Sequence, residues 1–223
     1  MDEYTYIEIL VEDKSGKIVL EHILQKYGEG RDNFNYVIRS FKGIGKIPPK
    51  LSTSSQVKTN RLLTDLPLFL KGIGKSLENM SGKKAIFVVL DSDDEDCAEL
   101  KRKLVVMKQK LQIKTEVFFC IAIEEMEAWL LGDGDAVIAA YPNAKKPLLQ
   151  KYVQDSIIGT WEYLADIIYK GGVQRLKKDA SSYYEIGEFK CKCADKIGTH
   201  LNIRNNNSPS FNYFISKLDL ITS

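Results

Sequence analysis

Ala85-Ile86-Phe87-Val88-Val89-Leu90 is an unbroken apolar run bounded by Gly82 and Asp91, and its reading decides the fold. A strand with one wet face alternates apolar and polar residues, whereas a run apolar at every position is the pattern of a strand buried on both faces of a parallel sheet. Tyr6 to Val11 (YIEILV), Tyr36 to Phe41 (YVIRSF) and Glu116 to Ile123 (EVFFCIAI) are further strand candidates. Helical spacing follows each of the four. Ile18, Val19, Leu20, Ile23, Leu24 and Tyr27 follow the first, and Leu62 to Leu77 the second, with Pro67 in a first turn if that helix begins near Asp65. Asp94 to Leu111, with Leu100, Leu104, Met107 and Leu111 inward, follows the third, and Glu124 to Leu131 directly continues the fourth. Parallel strands need crossovers, and crossovers are right-handed. The chain is therefore expected to be α/β, a doubly wound parallel sheet of about four strands within residues 1–140.

From Ala144 onward no strand of comparable quality occurs. Helical stretches near Ile157 to Tyr169, Gly172 to Lys178, Glu188 to Leu201 and Phe211 to Leu218 predict a helical C-terminal lobe, residues 141–223, packed on the sheet. Between Tyr141 and Leu218, 12 lysines and arginines face 7 acids, so the lobe is basic and the sheet domain carries the compensating negative charge. Gly43, Gly45, Pro48, Pro49 and Ser52 to Ser55 are loop chemistry.

Over the 223 residues, 32 basic side chains nearly balance 30 acidic ones, so any nucleic-acid contact must be a local patch rather than a whole-molecule field. No apolar run approaches the roughly 20 residues a bilayer needs. Met1 to Tyr6 carries acids where a leader would carry basic residues, and a cytoplasmic location is expected. Cys97, Cys120, Cys191 and Cys193 form no Cys-x-x-Cys pair and are expected as reduced thiols. Cys191 and Cys193 with His200 would offer three zinc ligands where a structural site takes four. With only His22 and His200 present, carboxylates must do any chemistry.

Functional groups of a doubly wound sheet gather at the carboxyl edge of its strands. Glu12 follows the first predicted strand, Asp91 and Asp93 the third, and Glu124, Glu125 and Glu127 the fourth. Singly, these acids read as a helix cap, first-turn acids and a solvated face. Two carboxylates about 4 Å apart repel by roughly 4 kcal/mol at an effective dielectric near 20, so a cluster of three calls for protons or a cation. Hard oxygen ligands suit Mg²⁺ or Mn²⁺, and metal-assisted phosphoryl transfer is the chemistry such a site performs.

Three other motifs fail on spacing. Gly74-Lys75-Ser76 has Phe69 where a P-loop needs its first glycine. A calcium loop opening at Asp91 has Asp96 at its turn position and Arg102 at its bidentate position. A haloacid-dehalogenase phosphatase would use Asp91 and Asp93 but has Asp94 where Thr or Val usually follows, and gives Glu12 no role.

Val11-Glu12-Asp13-Lys14-Ser15 after a first strand, with Leu90-Asp91-Ser92-Asp93 after a third, resembles the TOPRIM signature of type IA topoisomerases, primases and OLD-type nucleases. More narrowly, Val88 to Leu104 (VVLDSDDEDCAELKRKL), Ile121 to Asp133 (IAIEEMEAWLLGD) and the tail Asn206 to Phe214 are similar to the small stand-alone TOPRIM-like family catalogued as domain of unknown function 4276. The resemblance implies a TOPRIM/Rossmann-like sheet and a Mg²⁺- or Mn²⁺-dependent nuclease acting on DNA or RNA, often beside an AAA-type ATPase in prokaryotic phage defence. It implies Glu12 as general base or metal ligand, and Asp91 and Asp93 as metal ligands. In the family's Glu-x-Glu-Ala-Trp pattern stand Glu125, Glu127, Ala128 and Trp129, with Glu125 expected as an additional metal-facing acid. Asp13 stands where the family's first motif usually has Gly.

Lys14, next to Glu12, is placed to meet a phosphate oxygen and joins Glu12 as a catalytic candidate. Lys42 and Lys46 flank Gly43 and Gly45, whose backbone can approach phosphate closely, and are nucleic-acid-binding candidates with Lys14. Arg175, Lys177, Lys178, Lys190 and Lys192 would form a phosphate track on the lobe, with a solvated helix face as the plainer account. Trp129, Leu130 and Trp161 are expected in the core. The expected partners are nucleic acid and an ATPase, without a membrane, and a homo-oligomer is compatible with the sequence. The alternative is a catalytically silent module that binds a partner ATPase and uses its carboxylates to hold a structural or regulatory cation.

Overall fold

The run from Ala85 to Leu90 is buried at every position because both faces of its strand are covered. The computed structural model describes residues 3–49, 51, 59–93, 95–156 and 159–223. Ser52 to Ser55, Asp94 and Ile157, read above as loop and helix starts, lie outside the described residues. Strands β1 (Thr5–Val11), β2 (Phe34–Ser40), β3 (Lys83–Asp91) and β4 (Glu116–Ala122) pair in parallel in the order β2-β1-β3-β4. The chain steps from β1 to β2 on one side and then returns to place β3 on the other. The topological switch point therefore lies between the carboxyl ends of β1 and β3, where ligands of open α/β sheets bind.

Period-two alternation divides the strands between two cores. Ile7, Ile9, Val11, Phe87 and Val89 face one core, and Leu10, Ile86, Val88 and Leu90 the other. Helices α2 (Leu62–Glu78) and α3 (Cys97–Leu111) cover the second face. The first is covered by α1 (Lys14–Gly28), α4 (Glu127–Leu131) and α10 (Pro209–Thr222). Helices α5 (Gly134–Ala140), α6 (Lys146–Lys151), α7 (Thr160–Ile168), α8 (Gly172–Asp179) and α9 (Tyr183–Gly198) complete the lobe. The first core runs without a break from Ile7 to Leu218 and crosses residue 140.

Three local expectations are corrected. Helix α2 begins at Leu62, so Pro67 lies inside it rather than in its first turn. Its early start is supplied from outside: the carbonyls of Gly43 and Ile44 accept the Leu62 and Leu63 amides at 3.0 and 2.7 Å. The fourth strand does not run straight into a helix, because Glu124 turns left-handed at φ 66 and α4 starts only at Glu127. Helix α9 starts five residues before Glu188, and α5 and α6 are added elements. All four cysteines are free thiols.

Phe214 of α10 is fully buried, with its ring 5.6 Å from Phe87 on β3 and 5.3 Å from Trp129 on α4. Phe214→Ala is expected to cost about 3–5 kcal/mol in urea unfolding. Far-UV circular dichroism and tryptophan fluorescence should report one shared transition; two separate transitions would show that sheet and lobe do not share a core.

Candidate functional site

Glu12 is the first residue beyond β1, and the start of α1 packs closely behind it. A Cβ at Gly16 would stand 2.8 Å from Val11 Cγ2, so glycine lets the helix begin there. Asp13 caps α1: its carboxylate accepts from the Gly16 amide at 2.7 Å and the Ser15 hydroxyl at 2.8 Å. Glu12 Oε2 accepts from the Asp91 amide at 3.4 Å, which joins residues 79 positions apart at the switch point.

The loops after β3 and β4 are laced together by backbone. Ser92 donates to the Ala122 carbonyl at 3.0 Å, Glu124 donates to Ser92 Oγ at 2.8 Å, and Asp93 donates to the Glu124 carbonyl at 3.1 Å. Asp93 and Glu124 are both left-handed, at φ 45 and 66, which is uncommon outside glycine. This lacing leaves Asp93 exposed and Asp91 buried, and Asp91 Oδ1 makes no hydrogen bond with the described residues.

Glu125, expected to face a metal, takes another post. Its Oε2 accepts from the Thr160 hydroxyl at 3.1 Å and the Trp161 amide at 3.0 Å, which satisfies the amino end of α7. Its Oε1 accepts from Lys190 Nζ of α9 at 3.3 Å. Glu127, two residues further, is buried and its charge acts on Asp91. Its Oε2 lies 3.3 Å from Lys190 Nζ, close enough for an ion pair though not aligned as a hydrogen bond. Thus Lys190, read from sequence as one of a surface track, is a largely buried counter-charge. No local signal revealed this, since the pairing joins elements 63 and 65 positions apart.

The acids push one another toward the protonated state. Burial, then Asp93, raises the Glu12 carboxyl to about 7, against the Asp91 amide, which favours its charge. Burial, then Glu12, holds Asp91 well above the usual carboxylate range. Glu127 is lifted to about 7, chiefly by burial and in spite of Lys190. Burial opposes charge on Lys190, but Glu127, Glu125, Asp91 and Asp13 outweigh it and keep its ammonium protonated.

The remaining lysine candidates stand at the rim. Lys14 is exposed and pairs with Glu188 at 3.6 Å. The Gly43 amide donates to the Glu12 carbonyl at 3.1 Å, which brings the loop of Lys42 and Lys46 to the same edge with both lysines exposed. Trp129 and Leu130 are core, as expected, whereas Trp161 is only half-buried.

Among the described residues no group of three or more His, Cys, Asp or Glu side chains is set to hold a metal ion. The donor chemistry suits a hard divalent cation all the same, since Asp91 Oδ1 is a buried acceptor without a donor and the neighbouring Glu12 is held near 7. The sequence family described as Domain of unknown function (DUF4276) matches residues 11–219, and the chain belongs to that family. No curated protein and no solved structure matches the chain.

Because Glu12 and Glu127 titrate near 7 when folded and near 4.5 when unfolded, the folded state binds protons more tightly. That stabilisation is complete below about pH 4.5 and is lost as pH rises through about 7. The unfolding midpoint should therefore fall between about pH 5 and about pH 8, and by less in Glu127→Gln. Lys190→Met should cost about 3–5 kcal/mol near pH 8 and distinctly less near pH 5, where the acids carry protons. An unchanged Lys190→Met protein at the higher pH would show that the ammonium is not their counter-charge.

Proposed function

We propose that this member of the family is a divalent-metal-dependent nuclease that hydrolyses phosphodiester bonds of DNA or RNA at the carboxyl edge of the sheet. The observation that carries the reading is the meeting of Glu12 and Asp91 at the switch point, with Asp91 Oδ1 left as a buried acceptor lacking a donor. Asp91 and Asp93 would hold Mg²⁺ or Mn²⁺, and the bound cation would polarise a phosphate oxygen and acidify a water. That leaves Glu12 for the proton: a carboxyl held near 7 is matched to taking one from the attacking water at neutral pH. Lys190, oriented by Glu125 and Glu127, offers a fixed positive charge to the phosphate as negative charge develops on it. Lys14, Lys42 and Lys46 would contact the flanking phosphates. The TOPRIM likeness of the Glu12 and Asp91 segments supports the same reading, and with it a cytoplasmic effector of prokaryotic phage defence working beside an AAA-type ATPase.

A second reading is favoured by one feature: Lys190 already pairs with two of the acids. On that reading Lys190 is a structural counter-charge, any cation held by the remaining carboxylates is structural or regulatory, and the protein is a non-catalytic module for its ATPase.

Plasmid DNA and structured RNA incubated with Mg²⁺, Mn²⁺ or chelator separate the two. Wild-type protein should cut with metal and not with chelator, and Glu12→Gln and Asp91→Asn should each lose about 100-fold or more. Cutting by both variants at the wild-type rate would overturn the site. Mg²⁺ should also raise the unfolding midpoint of wild type and not of Asp91→Asn, and that rise without any cutting would favour the silent module.

A further inference from the structure

Trp161 packs against the small cluster of Ala165, Val173 and Leu176 and also lines a cavity of about 690 Å³ beside α7, α8 and the start of α9. That volume falls within the ~300–1,000 Å³ typical of small-ligand sites. Its wall combines the aromatic rings of Trp161 and Tyr183 with Lys177, Lys190, the carboxylate of Glu162 and the hydroxyl residues Ser181 and Ser182. Tyr183 is 96% exposed, so its ring is available to a ligand rather than used by the core. Lys177 Nζ lies 5.1 Å from the centre of the Trp161 ring and pairs with Glu162 at 3.3 Å. One lining side chain also meets the acids: the ammonium of Lys190 pairs with Glu125 and Glu127, while the Trp161 backbone amide donates to Glu125. The cavity therefore adjoins the acid cluster through Lys190.

Aromatic faces interleaved with lysines are the chemistry that binds unpaired nucleotides, because every base has a π-face and every linkage a negative charge. A base inside a duplex has both faces covered by its neighbours and cannot stack on a side chain. The lobe that forms the cavity also carries the chain's basic excess, 12 basic against 7 acidic side chains between Tyr141 and Leu218. We propose that this cavity takes an unpaired base, stacked on Trp161 and Tyr183, with Lys177 toward the sugar–phosphate backbone. On the nuclease reading above, which this inference deepens, the substrate class is then single-stranded nucleic acid or a frayed end rather than an intact duplex.

The test is fluorescence anisotropy with short labelled oligonucleotides of mixed sequence, single-stranded DNA and single-stranded RNA in separate arms, against a blunt duplex of equal length. All are measured in chelator so that nothing is cut. At least one single strand should bind about tenfold or more tightly than the duplex, and Trp161→Ala and Tyr183→Ala should each weaken it by about tenfold. Tyr183 is solvent-exposed, so its variant keeps the fold even if Trp161→Ala lowers the unfolding midpoint. Duplex affinity equal to that of both single strands, or single-strand affinity unchanged in Tyr183→Ala, would overturn the proposal. Binding is read without metal, so its failure leaves the Glu12 and Asp91 cleavage test standing, and failure of that test leaves the cavity result standing.

Discussion

Carboxylates gathered in a dry sheet edge repel one another, and each loses hydration that protons, cations or hydrogen-bond donors must replace. Glu12, Asp91, Glu125 and Glu127 come from the carboxyl ends of three strands and the segments just beyond them, and the side chain that answers them is Lys190, from a helix near the other end of the chain. Its helix, α9, is seated by Cys193, Ala194 and Ile197 in the core, and that seating carries Lys190 to the acids. Its docking is reinforced along α1, where His22 Nε2 lies 3.0 Å from Asp195 and Lys26 donates to the carbonyls of Thr199 and Leu201. The two helices approach so closely that a Cβ at Gly198 would stand 2.5 Å from His22 Cδ2. The lobe is therefore part of the site and not an appendage to it.

A second set of polar contacts holds the lobe in register without touching the acids. Asn206 donates to the Trp129 carbonyl at 2.8 Å, the Trp129 indole donates to Ser210 at 2.9 Å, and Asp155 accepts from Ser208 and the Ser210 amide. A Cβ at Gly132 would fall 2.0 Å from Asn206 Oδ1, which accounts for glycine there. The sequence blocks around Trp129 and Asn206, which carry much of the family resemblance, thus serve chiefly to bind the tail to α4. Their specificity is structural, and the chemical content of the resemblance rests on fewer residues.

Among those residues, legibility tracked distance along the chain. Glu12 and Asp91 could be placed together because parallel strands carry their ends to one edge whatever the loops do. The choice between Glu125 and Glu127 could not be made that way. It turns on whether the segment after β4 is helical from its first residue, and the left-handed turn at Glu124 redirects the acids so that Glu127 is buried and acts on Asp91 while Glu125 satisfies α7. Asp13 is a helix cap, a role set by the Gly16 amide three residues on. Trp161 read as core because apolar spacing does not say how completely a partner helix covers a face.

What the amino-acid sequence determined by itself was the parallel α/β sheet, its two apolar faces and the acids at its carboxyl edge. Each follows from interactions within a strand or between successive elements, and periodicity records those directly. What only the tertiary structure decided was which acid lies inside, which cation answers it and where an aromatic wall stays open. These depend on helices brought together from opposite ends of the chain, and the free energy of a buried charge is set by whatever stands within a few ångströms of it, irrespective of its place in sequence.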